Sequence, residues 1–317
     1  MIAIPAILED FIPDARTLKE DWRYTNIADI LRDNPPKQLS THVEYHIDKD
    51  TTMPLQFAGG YPSATYHVAE GVKLNLIASF QAAVSGPLPS LSLARVRLNI
   101  AKGAQVNHIR FTHYDAGHSN FAQVEANVAE EAQYQVYALT TGAQRLRPEF
   151  KINLLGERAS ANIAYAYVLS GNAHHNLQLT INHLAPNTRS NQYIKGVVRD
   201  TARGAFQGKI HVARHAQNTE AYQLHRALQL SERAEVNAKP ELEIYADQVK
   251  CTHGNTVGAL DEGALFFMQQ RGIPLNEARQ MLTRAFIAET LDYVPTLRDE
   301  IRDGIAGQLD DVLTRML

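Results

Sequence analysis

The chain has 317 residues, 44% of them hydrophobic and 21% charged, with a formal net charge of −3. This is an ordinary globular composition, long enough for one elongated domain or two compact ones to bury a core without disulfide or metal staples. The slight acidic balance and the lack of any Lys/Arg-rich run argue against a nucleic-acid binder.

The first ten residues carry no basic run and reach acid at Glu9 and Asp10. No stretch of about 18 apolar residues follows, so neither a signal peptide nor a membrane span is expected, and the expected location is cytoplasmic. Residues 1–40 read as helical or irregular, punctuated by Pro13-Asp14 and Asn34-Pro35-Pro36. Trp22 and Tyr24 are expected to anchor this segment on a neighbouring core, because aromatic rings bury large areas.

From residue 41 to 258 the pattern is β. Alternating runs recur at 91–100, 106–112, 134–139, 149–154, 161–168, 176–182 and 205–212. A period of two means one buried face per strand. Turn-like elements recur at Lys102-Gly103-Ala104, Gly156-Glu157-Arg158-Ala159 and Arg203-Gly204, while Arg145-Leu146-Arg147 reads as a solvated loop. A β-sandwich and a parallel β-helix both fit. The unbroken length of the series and the scarcity of Asn-Gly or Asp-Gly hairpin pairs favour the β-helix, although no strict repeat is visible.

Residues 259–317 turn helical. Asp261 can cap a helix through Ala264–Met268, with Gly272 as its left-handed stop and Ile273 as the apolar partner. A second helix follows Pro274, with Ala278, Met281, Leu282, Ala285, Phe286 and Leu291 at helical spacing. Thr296 starts a third, with Asp299 completing a capping-box-like pair and a stripe of Leu297, Ile301, Ile305, Leu309, Val312 and Leu313. Amphipathic faces of this kind must pack on the β-domain, on one another or on a partner.

Few residues offer chemistry. Most of the 13 histidines sit singly in strand-like runs, as His108, His113, His118, His183, His211, His215 and His225 do, and read as surface or satisfied core residues. His174 and His175 are adjacent, so in an extended segment they point to opposite faces. Cys251, the only cysteine, excludes an intrachain disulfide or a zinc site built from two of the chain's own thiolates, and fits a reducing compartment. Cys251 and His253 lie on one face of a strand, where thiolate and imidazole can take a soft or borderline metal such as iron. A neighbouring imidazolium would also lower the thiol pKa. Glu241 and Glu243 form the clearest same-face acidic pair, the feature a polysaccharide-acting β-helix would need. Nucleotide-binding and hydrolase motifs are absent, so any ATP-driven step must come from a partner.

One block is specific. Gly204-Ala-Phe-Gln-Gly-Lys-Ile-His-Val212 is followed by Ala216-Gln-Asn-Thr219, Leu228-Gln-Leu-Ser231, Lys239-Pro-Glu-Leu-Glu-Ile-Tyr-Ala-Asp247, Val249-Lys-Cys-Thr-His-Gly-Asn-Thr-Val-Gly258 and Leu260-Asp-Glu262. It ends with Leu265-Phe-Phe267, Arg271-Gly-Ile273 and Ala285-Phe-Ile-Ala-Glu289, and Trp22-Arg-Tyr-Thr-Asn26 adds an N-terminal match. This series resembles the SufB/SufD family, and the absence of further cysteines suits the SufD type. The N-terminal part is shorter than is usual for that type. The resemblance implies a right-handed parallel β-helix, with a helical segment before it and another after it. It also implies a non-catalytic scaffold for iron–sulfur cluster assembly that pairs with a SufB-type subunit and binds a SufC-type ATPase. No cofactor is expected to be tightly bound; a transient cluster would be shared with the partner, and the isolated chain would form a homodimer if it pairs with itself. By the same resemblance the assembly interface falls at His253, with Cys251 beside it, and His253 is the transient metal ligand. The ATPase would dock on the C-terminal helices, around Phe266, Phe267, Arg271, Phe286 and Glu289.

Overall fold

A computed structural model describes residues 40–56, 61–81, 91–114, 118–142 and 144–293, with Asp303, Gly307 and Thr314 as isolated helical positions. The expectations for Trp22 and Tyr24, and most of the third C-terminal helix, lie outside the described residues.

Among the described residues, sixteen strands alternate between two parallel sheets. The first sheet stacks β1 (Ser40–Ile47), β3 (Tyr61–Val68), β5 (Leu91–Ile100), β7 (Ser119–Val128), β9 (Arg145–Leu154), β11 (His174–His183), β13 (Arg203–Val212) and β15 (Glu235–Ile244). The second stacks β2 (Thr51–Gln56), β4 (Lys73–Gln81), β6 (Gln105–Tyr114), β8 (Gln133–Gly142), β10 (Ser160–Leu169), β12 (Arg189–Val198), β14 (Thr219–Gln229) and β16 (Val249–Gly258). Each coil gives one strand to each sheet, and every strand pairs in parallel with its counterpart one coil away. This is a parallel β-helix.

The corners explain why the chain winds. Gly71, Gly103, Glu131, Arg158, Asn187 and Asn218 all occupy the left-handed region, one in each coil between the first and the last. That conformation turns each N–H along the solenoid axis. Gly103 donates to the Glu130 carbonyl, Glu131 to Glu157, Arg158 to Pro186 and Asn187 to Gln217, so the corners form a hydrogen-bonded ladder of their own. Glycine and asparagine suit the position, whereas Glu131 and Arg158 carry its steric cost. Their side chains are tied together: Arg158 Nη2 lies 2.6 Å from Glu131 and Arg158 Nη1 2.7 Å from Glu157.

The lumen holds the main core, including Leu74, Leu98, Val136, Phe150, Leu179 and Phe206. Outside, the two sheets differ. The first carries a polar ladder in which Asn127 donates to Asn99, Asn153 to Asn127 and Asn182 to Asn153, at 2.8–3.0 Å. The second is apolar on its outer face, where Tyr137, Leu139, Ala164, Val168 and Val197 pack with Ile287 and Leu291 from the C-terminal helices. Strand β10 is therefore buried on both faces and loses the alternation that β7 keeps.

Helix α1 (Glu262–Gln269) is capped by Asp261, whose carboxylate accepts from the Gly263 and Ala264 N–H groups. Gly272, at φ +81, and the Ile273 N–H bonded to the Met268 carbonyl close its end as the sequence predicts. Helix α2 (Leu275–Ala288) leads into a 3-10 turn over Glu289–Tyr293.

Two local readings are corrected. Arg145-Leu146-Arg147 opens strand β9, and Arg147 is buried, with Nη1 2.6 Å from Glu149 and Nη2 2.7 Å from the Gln178 side chain. A paired guanidinium can be a strand residue, which a basic run does not reveal. Arg203-Gly204 lies inside β13, and the turn falls just before it, at Asp200. Gly204 is small because Tyr167 passes close by: a Cβ there would sit 3.0 Å from that ring.

Candidate functional site

Strands β15 and β16 form the last coil. The register pairs Cys251 with Ala221, His253 with Gln223 and Asn255 with His225. Ala221, Gln223 and His225 are buried lumen residues of β14. Paired residues of a parallel ladder point to the same side, so Cys251, His253 and Asn255 form a lumen-facing row. The row is open: β16 is mostly exposed, where β14 beneath it alternates between buried and accessible positions. Among the described residues no further coil covers it.

The row has a built floor. His225 lies between Asn255 and Tyr167, with Nδ1 2.7 Å from the Asn255 side-chain oxygen and Nε2 2.9 Å from the Tyr167 hydroxyl. An amide oxygen only accepts, so Nδ1 carries the proton and Nε2 accepts from Tyr167. Burial pushes His225 down to about 4, so the ring is neutral, and Phe206 stacks on it at 4.9 Å. Deeper, His175 accepts or donates to the Tyr165 hydroxyl at 2.9 Å through Nε2 and is pushed down to about 3, again by burial. Next to His225, Gln223 donates to the Gln192 side-chain oxygen at 2.8 Å.

Cys251 packs partly against the Ile210, Val212, Ala216 and Ala221 cluster. Burial pushes its thiol up, against a smaller opposing effect from the Ala221 backbone. The lowering that a neighbouring imidazolium would bring is not what governs this thiol, because its packing against that apolar cluster desolvates it. In the chain alone, Cys251 is a protonated thiol. Among the described residues no three His, Cys, Asp or Glu side chains gather into a metal-binding group. Cys251 and His253 are two donors on one strand face.

The docking residues expected from sequence divide into two sets. Phe266 and Phe267 are exposed on α1, and the Arg271 guanidinium stacks over the Phe267 ring at 3.5 Å. Phe286 and Glu289 face the β-helix instead. The fully buried Lys195 ammonium donates to the Phe286 carbonyl at 2.6 Å and to the Glu289 carboxylate, which also accepts from Tyr193 at 3.0 Å. These two residues hold the helices down. A cleft of about 410 Å3 between the helices and the solenoid, lined by Arg199, Ser231, Leu265, Arg279 and Thr283, shares no residue with the lumen row.

Glu241 and Glu243 lie on the outer face, each beside a cation: Lys239 is 2.8 Å from Glu241, and Lys209 is 2.6 Å from Glu243. The Lys209 hydrogen bond holds the Glu243 carboxyl low. A glycosidase pair needs one carboxyl kept protonated, and Glu243 is pushed the other way.

Residues 55–286 match the family model described as SUF system FeS cluster assembly, SufBD core domain. The chain belongs to the SufBD core family. It is 34% identical over 207 residues to the iron–sulfur cluster assembly protein SufD of Escherichia coli K12, covering 65% of this chain and 48% of that protein. It is also 34% identical over 210 residues to a SufBD family protein of Synechocystis, covering 65% and 46%. A third relative is the chloroplastic protein ABCI7 of Arabidopsis thaliana, 30% identical over 213 residues and covering 66% and 45%. The matches span about half the length of these relatives. The SufD-type resemblance read from the sequence stands. No helix among the described residues is long and apolar enough to cross a membrane.

Asn255, Gln223 and His225 complete the SufBD mouth and were not singled out as site residues in the sequence. Asn255 shares the period-two face of Cys251 and His253, so that signal was present. Gln223 and His225 needed the coil length, which no repeat motif marks.

Proposed function

We propose that this chain is a scaffold subunit for iron–sulfur cluster assembly and that the open mouth of its β-helix is half of the assembly site. The observation that carries this is the row Cys251–His253–Asn255, lumen-facing yet uncovered, on the final coil. A thiol and an imidazole on one face suit iron, and a tetrahedral site still needs two more donors. A SufB-type partner closing the mouth would supply them and would desolvate the row. The exposed edges of β15 and β16 offer backbone groups for such a partner, or for a second copy of this chain when it is isolated. A SufC-type ATPase fits on the exposed Phe266, Phe267 and Arg271 surface of the C-terminal helices. The iron–sulfur cluster is cargo on this reading, and His253 is its transient ligand. Carrying the changes to cells tests it: His253→Ala should still co-purify with both partners but support little cluster assembly. Normal cluster supply from that variant overturns the site assignment.

A further inference from the structure

The Gln223 amide is held in an unusual way. It is 3% exposed and lies one strand beneath His253 in the lumen. Its nitrogen end is committed, donating to the Gln192 oxygen at 2.8 Å, one coil deeper. Its oxygen end is buried and has no hydrogen-bond partner. Space for the amide comes from the opposite sheet: a Cβ on Gly208 would sit 2.4 Å from Gln223 Nε2 and 2.7 Å from its Cδ. Gly208 has no positive φ, so this glycine answers a need for room and not for an unusual backbone.

A buried carbonyl oxygen without a donor is costly, and native structures keep few of them. With its nitrogen committed to Gln192, the oxygen is left for a donor from another strand; His253 is its paired residue one ladder step above, and no hydrogen bond joins the two in this structure. The neighbouring pair already shows the pattern: His225 donates to the Asn255 oxygen across the same two strands at 2.7 Å. Imidazole and amide are matched across this step of the ladder, with the order of the two reversed at the next register position.

We propose that Gln223 is the positioning residue of His253: when the exposed ring turns inward, the amide oxygen accepts one ring N–H of His253 and leaves the other ring nitrogen bare toward the mouth. A histidine that ligates metal needs one such bare nitrogen, and an acceptor on the other nitrogen fixes both tautomer and ring plane. The column Gln192–Gln223–His253 then runs from the closed core to the open end. Its purpose is to present a single tautomer to iron-bearing cargo before a partner closes the site. The inference deepens the proposed assembly role and rests on it for the identity of the cargo, but not for the tautomer.

The test is nitrogen-15 spectroscopy of the imidazole rings in the full chain at about pH 8, where an ordinary imidazole is neutral. The His253 signals are assigned by their loss in His253→Ala. The unsubstituted chain should show one pyrrole-like and one pyridine-like nitrogen at His253. Gln223→Leu should average the two toward one another, and Gln223→Glu, which keeps an acceptor, should restore the separation. Gly208→Ala displaces the amide without removing it and should also average them. A His253 ring already averaged in the unsubstituted chain overturns the proposal with no variant needed. So does a ring whose single tautomer survives both Gln223→Leu and Gly208→Ala. A locked tautomer together with normal cluster supply from His253→Ala would instead leave Gln223 in place and remove the assembly role.

Discussion

The C-terminal helices are held by a contact whose two halves are unequally buried, and this makes its mutational cost asymmetric. The Lys195 side chain is 0% exposed and that of Glu289 is 52% exposed. Removing Glu289 as Glu289→Ala leaves a buried ammonium with the Phe286 carbonyl, the Phe286 ring 4.1 Å away and the Tyr193 ring 5.5 Å away. Stripping a partner from a buried ion pair costs ~3–5 kcal/mol, and the surviving carbonyl and cation–π contacts put this case near ~3. Removing the lysine as Lys195→Met deletes the buried charge, fills its channel with an unbranched apolar chain and leaves a carboxylate that water can reach. That change costs ~1 kcal/mol. The difference of ~2 kcal/mol is roughly 30-fold in the opening equilibrium of α2, by the rule that 1.4 kcal/mol is tenfold. Hydrogen exchange of the α2 amides measures it directly, since local opening need not involve the solenoid. Burial lowers the Lys195 pKa, with Glu289 opposing, so the undocked state binds the extra proton and docking strengthens as pH rises toward the ordinary lysine value. Lys195 first of all holds the Glu289 carboxyl below its ordinary 4.5, so that contribution is complete at neutral pH and is lost as acid passes through the lowered value. Exchange in Lys195→Met equal to or faster than in Glu289→Ala would refute the reasoning.

How much of this was legible in the sequence depends on the range of the signal. Strand β5 falls on the predicted residues 91–100, because alternation is a local property of a strand with one buried face. The Asp261 cap and the Gly272 stop were also local and stood where their residue types put them. Arg147 was misread because its burial depends on Gln178, one coil away, as well as on its neighbour Glu149. The choice between sandwich and β-helix stayed open for the same reason. The corner ladder joins residues about thirty positions apart, and its left-handed residue is Gly, Glu, Arg or Asn in different coils, so no fixed motif repeats. At the mouth, period-two spacing put Cys251 and His253 on one face but could not say which face pointed into the lumen. Docking residues were chosen by region, and packing then separated Phe266 and Phe267, exposed on α1, from Phe286 and Glu289, which hold the Lys195 ammonium.

Two further outcomes follow from the lumen. Gly196→Ala would place a Cβ 2.0 Å from Cζ of Tyr167, whose ring is stacked on His175 at 4.9 Å and whose hydroxyl is bonded to His225. The ring has no free direction, so the variant should lose ~2–3 kcal/mol and melt several degrees lower by calorimetry, and an unchanged melting temperature would show that the lumen yields. The mouth itself is read by Cys251. Cys251 packs partly against the cluster that holds Ala221 and Val212, and that burial favours the neutral thiol over the thiolate. Alkylation proceeds through the thiolate, so the rate with iodoacetamide should be slower at neutral pH than for a free cysteine in solution, and its midpoint should lie above the ordinary thiol value of 9.0. Steric shielding alone would slow the reaction at every pH without moving the midpoint, so the pH profile separates the two causes. A midpoint at or below the ordinary value would mean that a positive group beside the thiol, and not burial, governs it. The mouth would then be primed in the isolated chain, instead of waiting for a partner to change its surroundings.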